Sequence, residues 1–166
     1  MGALAVVLMG VSGSGKTTVG RVLARRLGWA FLDADDFHSP RSVEKMRRGE
    51  PLTDDDRGPW LHALAASIRR HVDGGESVVL ACSALKASYR EVLQVDDRVR
   101  FAFLRADPSL LEKRLAGRSG HYFAPGLLQS QLETLEPPAD ALTLDASRPP
   151  AELAREVERV LVGNAA

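Results

Sequence analysis

Leu4-Ala5-Val6-Val7-Leu8-Met9 runs straight into Gly10-Val11-Ser12-Gly13-Ser14-Gly15-Lys16-Thr17, after which Val19, Val22, Leu23 and Leu27 take up helical spacing. An apolar run, a glycine-rich turn ending in Lys-Thr and an amphipathic segment, in that order, read as strand, phosphate loop and helix. The pattern GxxxxGK[ST] is specific in that context. Glycine at 10, 13 and 15 opens backbone angles closed to other residues, so successive N–H groups can converge on phosphate oxygens where a helix N-terminus adds partial positive charge. Lys16 is the cation expected on the β- and γ-phosphates, and Thr17 offers a hydroxyl to Mg²⁺. Val11, Ser12, Ser14 and Thr18 complete the cradle for ATP. A flexible Gly/Ser turn would account for the glycines but not for the flanking strand and helix. The loop alone leaves open a sensor or switch that binds nucleotide without transferring phosphate.

Outward from the loop, apolar runs recur at Ala30 to Leu32, Ser77 to Cys82, Val99 to Leu104 and Ala141 to Leu144. They are nearly continuous, as strands covered on both faces are. Between them lie helical patterns. The first stops at Gly28. The longest carries Trp60, Leu61, Leu64, Ala65, Ile68 and Val72, with Pro59 near its first turn and Gly74-Gly75 closing it. Leu110, Leu111 and Leu115 mark another, and Leu153, Val157, Val160 and Leu161 mark the last, entered through Pro149-Pro150. Strand and helix alternate throughout. That predicts an α/β fold of three layers, a five-stranded parallel sheet with helices on both faces, whose ligands sit beyond the carboxyl ends of the strands.

At 166 residues the chain suits one domain, 1–166. Lys plus Arg and Asp plus Glu both count 22, so no global basic field favours nucleic acid, and a small acceptor is expected. Cys82 is the only cysteine, which excludes an internal disulfide and a CxxC zinc site. The N-terminus has no basic start or cleavage site, and the run Leu4–Met9 is too short to span a bilayer. A cytoplasmic protein without membrane association is the expectation.

After the second strand comes Asp33-Ala34-Asp35-Asp36-Phe37-His38. Delivered to the carboxyl edge of the sheet, one of these acids could organise a metal-bound water while another orients or deprotonates an acceptor hydroxyl. The same acids could instead cap the next helix. Spacing alone does not choose. Cys82, at a strand end, reads as a small buried hydrophobe and is given no catalytic role.

FLDADDFH, EKMRRGEPLTDDDRGPWL, CSALKASYR, RSGHYF and SQLETLEPP, in this order from about Leu8 to Pro138, closely resemble the gluconokinase family of P-loop sugar-acid kinases, relatives of shikimate and nucleoside monophosphate kinases. The resemblance implies transfer of the ATP γ-phosphate to the 6-hydroxyl of D-gluconate, with a small lid near 118–128 and a homodimer. Carried over by position, Asp35 meets the gluconate hydroxyls and serves as the base, His38 lies beside it, and Asp33 is nearer the metal with Thr17. Arg57 is matched to the substrate carboxylate, its alternative being a solvated charge balancing Asp54, Asp55 and Asp56, since Thr53 and Asp56 also make a capping pattern. Lys86 and Arg90, one helical turn apart, are expected to face the same anion as gluconate ligands. Arg118, in the lid, is expected to stabilise transferred charge. Arg114, whose helical spacing with Leu110 and Leu111 also gives it a structural reading, and Arg148 join it on the ATP side. Gln131 matches a family position near the site with no derivable role.

Two departures stand out. The family places Pro directly after the His and Asn four positions after it, whereas here the chain reads His38-Ser39-Pro40-Arg41-Ser42. Proline restricts the residue before it, and Ser42 lacks the two-ended hydrogen bonding of Asn, so substrate contacts from this loop are expected to differ. The alternatives to a gluconate acceptor are shikimate or another small molecule, or a nucleotide-binding sensor without turnover. No NKxD guanine motif is present.

Overall fold

The computed structural model describes residues 2–116 and 125–163. Five strands, β1 (Ala5–Met9), β2 (Ala30–Asp33), β3 (Val78–Ala81), β4 (Val99–Arg105) and β5 (Leu142–Asp145), pair in parallel in the order β2-β3-β1-β4-β5. Each falls on one of the apolar runs. The central strand β1 explains why its run is continuous: Ala5, Val7 and Met9 point into one core layer while Val6 and Leu8 point into the other. Period-two alternation is present, but both faces are covered.

The first layer packs α3 (Asp54–Asp73) and α4 (Ala87–Leu93) on the sheet through Leu64, Ile68 and Leu93. The second packs α1 (Lys16–Leu27) and α7 (Pro150–Val157) through Val19, Leu23, Leu153 and Val157. Each fully buried Leu or Ile contributes about 1.5–3 kcal/mol relative to exposure. Helix α1 closes on Gly28 at φ 69°, as the sequence predicts. Helix α7 starts with Pro150 in its first turn and runs into a π-helical segment, Glu158–Val162.

Helix α3 begins earlier than its proline suggests. Thr53 and Asp56 form a reciprocal capping box, so the helix starts at Asp54 and Pro59 lies inside it. A proline there removes one backbone donor, tolerable so near an end that is already well capped. The chain between β2 and α3 folds as a 3-10 turn, Ala34–Phe37, and a short helix α2 (Pro40–Arg47). Here the shifted proline finds its reason: Ser39 is the N-cap of α2, accepting from Ser42 N at 3.1 Å, and Pro40 occupies the first turn where no N–H is needed.

Helices α5 (Pro108–Ala116) and α6 (Pro125–Thr134) flank the expected lid. Of that lid, residues 118–124, Arg118 among them, lie outside the described residues, while 125–128 open α6. No helix among the described residues is long and apolar enough to cross a membrane.

Candidate active site

The phosphate loop joins β1 to α1 at the carboxyl edge of the sheet. Its glycines take left-handed angles, with φ 148° at Gly10 and 102° at Gly15, the N-cap of α1. Gly10 is also close-packed: a Cβ there would stand 2.9 Å from the Leu104 carbonyl oxygen. Lys16 Nζ donates to Val11 O at 3.0 Å, which keeps the ammonium inside the loop's own curve. Thr17 Oγ1 donates to Asp33 Oδ2 at 3.2 Å, tying the start of α1 to the end of β2.

Asp33 both caps and faces the loop. Its Oδ1 accepts from Asp35 N at 3.0 Å, closing the 3-10 turn, while Oδ2 takes the Thr17 hydroxyl. The capping reading of this residue is met, and the same carboxylate also reaches the start of α1. The turn throws Asp35 outward, its side chain two-thirds exposed, with Oδ1 3.9 Å from His38 Nε2. The His38 side chain is only 5% exposed and stacks on Trp60, ring centres 4.4 Å apart, and Trp60 Nε1 donates to Ala34 O at 2.7 Å. Burial, followed by the nearby Arg57 charge, pushes the His38 pKa down to about 4 against a smaller opposing pull from Asp33, and Nδ1 has no hydrogen-bond partner among the described residues. The imidazole is neutral near pH 7.

These residues share a cavity of about 390 Å³. Ser12, Gly13 and Gly15 to Thr18 of the phosphate loop line it together with Asp33, Asp35, His38, Arg57 and Trp60. Met46, Leu52 and Leu127, an apolar cluster, help enclose it between α2 and α6. The volume lies in the range of small-molecule sites, roughly 300–1,000 Å³. Gln131 acquires a contact that spacing did not supply: its Oε1 accepts from Ser12 N at 2.8 Å, so α6 reaches back onto the phosphate loop.

On the other side of the loop a second hollow of about 300 Å³ is lined by Gly13 to Gly15, Thr18, Arg114, Ala146 and Arg148, among others. Arg114 donates to Gly13 O, Ser14 O and Ala146 O, fastening the loop to the end of β5. Arg148 pairs with Glu156 at 2.9 Å.

Lys86 and Arg90 are the pair that the structure separates. Lys86 is the N-cap of α4, with extended angles φ −103° and ψ 148°, so helical spacing does not carry its side chain onto the face of Arg90. Its ammonium pairs with Asp54 at 3.1 Å. Arg90 turns back instead to the carbonyls of Ala84, Leu85 and Glu136, bracing the loop after β3. Neither lines the cavity. Cys82 is buried and its thiol pushed up to about 12 by desolvation, which leaves no thiolate for chemistry. Sequence reasoning missed Trp60, which lines the cavity. Its spacing reads as the core face of α3, and an aromatic beside the Asp-Arg turn is the available signal.

A family model described as an AAA domain matches residues 6–138. A gluconokinase of Gluconobacter oxydans is 51% identical over 81% of this chain and 76% of its own length. Among solved structures, a sugar kinase from a Janibacter species superposes with a TM-score of 0.90 at 43% identity, covering 96% of this chain and 94% of the other. A gluconokinase from Sinorhizobium meliloti gives a TM-score of 0.85 at 42% identity, covering 98% and 95%.

Proposed function

The chain belongs to the gluconokinase family, and from that premise we propose that it transfers the γ-phosphate of ATP to the 6-hydroxyl of D-gluconate, giving 6-phospho-D-gluconate and ADP. One cavity carries the assignment. It brings the phosphate loop together with a carboxylate, Asp35, and a guanidinium, Arg57, around a space suited to a small acid. Phosphoryl transfer to a hydroxyl demands an acceptor oxygen in line with the γ-phosphate, and an acid acceptor needs a cationic anchor at its other end. The planar fork of Arg57 matches two carboxylate oxygens.

Asp35 takes the hydroxyl proton as the bond from O6 to the γ-phosphorus forms and the bond to the β,γ-bridging oxygen breaks. Lys16 and the loop N–H groups balance the charge of the phosphates, and the His38 imidazole beside Asp35 is neutral near pH 7. Arg118 is assigned the charge on the transferring group; Arg114 and Arg148 are assigned the nucleoside side.

Thr17 Oγ1 and Asp33 Oδ2 are hard oxygens 3.2 Å apart, and no group of three His, Cys, Asp or Glu able to hold a metal occurs among the described residues. That donor set suits Mg²⁺, which keeps waters and shares phosphate oxygens instead of taking an all-protein cage. Thr17 and Asp33 would hold it, and it would supply charge neutralisation of the phosphates. A reducing, cytoplasmic setting fits the single buried thiol.

Asp35→Asn tests the chemistry. Gluconate-dependent ADP release is expected to fall by about 10²–10⁴-fold with ATP affinity retained. Unchanged turnover removes Asp35 as the base.

A further inference from the structure

Arg57 does not stand alone beside the cavity. From the first turns of α3 its Nη1 donates to the phenolic oxygen of Tyr89 at 2.9 Å, and its guanidinium carbon lies 5.4 Å from the centre of the Tyr89 ring. Tyr89, on α4, is only 5% exposed. Its hydroxyl donates in turn to Asp54 Oδ1 at 2.5 Å, so the phenolic proton is committed to Asp54 and an oxygen lone pair faces Arg57. Lys86 completes the set: its ammonium donates to both Asp54 oxygens and lies 5.6 Å from the centre of the same ring. Burial and then Asp54 hold the phenol above its ordinary pKa, so the donor proton persists at neutral pH. The Tyr89 and Lys86 hydrogen bonds hold Asp54 below the usual carboxylate range, so it stays a charged acceptor.

We propose that Tyr89 is the positioning residue for the acid end of the acceptor, holding the Arg57 guanidinium in place while Asp54 and Lys86 hold Tyr89. The inference rests on Arg57 being the carboxylate anchor. A phenylalanine would fill the same space in the core, so the function of this tyrosine lies in its hydroxyl. An arginine fixed before the acceptor arrives has already lost the rotamer freedom that binding would otherwise cost, and its fork is aimed. Lys86 offsets the charge of Asp54, which limits the competition between that carboxylate and the acceptor's own for Arg57. The cation at 86 thus serves acceptor binding at one remove, without touching the cavity.

A double-mutant cycle on Tyr89→Phe and Arg57→Ala, read as kcat/KM for gluconate, KM for ATP and calorimetric gluconate binding, tests this. Tyr89→Phe is expected to raise KM for gluconate about tenfold, with kcat moving less than about twofold and KM for ATP unchanged. In the Arg57→Ala background the same change is expected to add nothing. An equal effect in both backgrounds, or an effect on KM for ATP as large as that for gluconate, overturns the positioning role. So does a Tyr89→Phe enzyme indistinguishable from the parent while Arg57→Ala is impaired. If Arg57→Ala itself leaves gluconate binding intact, the carboxylate anchor is wrong and the inference falls with it. Asp54→Asn, which keeps an acceptor for the phenol, is expected to move KM in the same direction by less.

Discussion

Asp33 and Asp35 leave β2 two positions apart and meet different neighbours. Asp33 spends both oxygens on protein donors, Thr17 and the Asp35 N–H, whereas Asp35 projects into the cavity beside an uncharged imidazole. That imidazole gives a pH signature. His38 has a folded pKa of about 4 against 6.5 when exposed, so the unfolded chain takes up a proton that the native one refuses. Stability from this residue is complete above about 6.5, declines as pH falls towards 4 and then levels off, a loss of roughly 3 kcal/mol. His38→Phe keeps the stack on Trp60 but cannot titrate. Urea midpoints measured from pH 7.5 to 4.5 are expected to fall less steeply in this variant than in the parent; equal slopes would mean that His38 protonates freely in the native state.

At the scale of elements, the phosphate loop is the most tightly specified. Gly10 combines φ 148° with the Leu104 carbonyl 2.9 Å from any added Cβ, so Gly10→Ala must move β1 against β4. A cost of about 1–3 kcal/mol is expected, together with weakened ATP binding, read by thermal unfolding with and without nucleotide. A variant as stable as the parent would mean that the loop adapts without strain. This loop was legible because its backbone requirements are written in glycines. The strands were legible because a sheet covered on both faces demands unbroken apolar runs. Lys86 and Arg90 were not, because four-residue spacing speaks only inside a helix and Lys86 stands at its cap. Nor was the role of Gln131, whose contact with Ser12 spans 119 positions and depends on how α6 folds back. Arg57 could be read as a cap neighbour or as an anchor; the capping box belongs to Thr53 and Asp56, which leaves the guanidinium for Tyr89 and the cavity.

The whole molecule brings two hollows together at one edge of a parallel sheet, with the phosphate loop between them. The loop identifies the donor, and Asp35, His38 and Arg57 are the residues proposed to select the receiver. A sheet of this kind serves several acceptors, so the central claim concerns those residues. It is tested most directly by incubating the protein with ATP and Mg²⁺ and, in parallel, gluconate, shikimate or a nucleoside monophosphate, following ADP and identifying the phosphorylated product. One ADP per gluconate consumed is expected, with the phosphate on the 6-oxygen and far slower release with the other acceptors. ADP release that ignores gluconate but follows shikimate or a nucleoside monophosphate would contradict it.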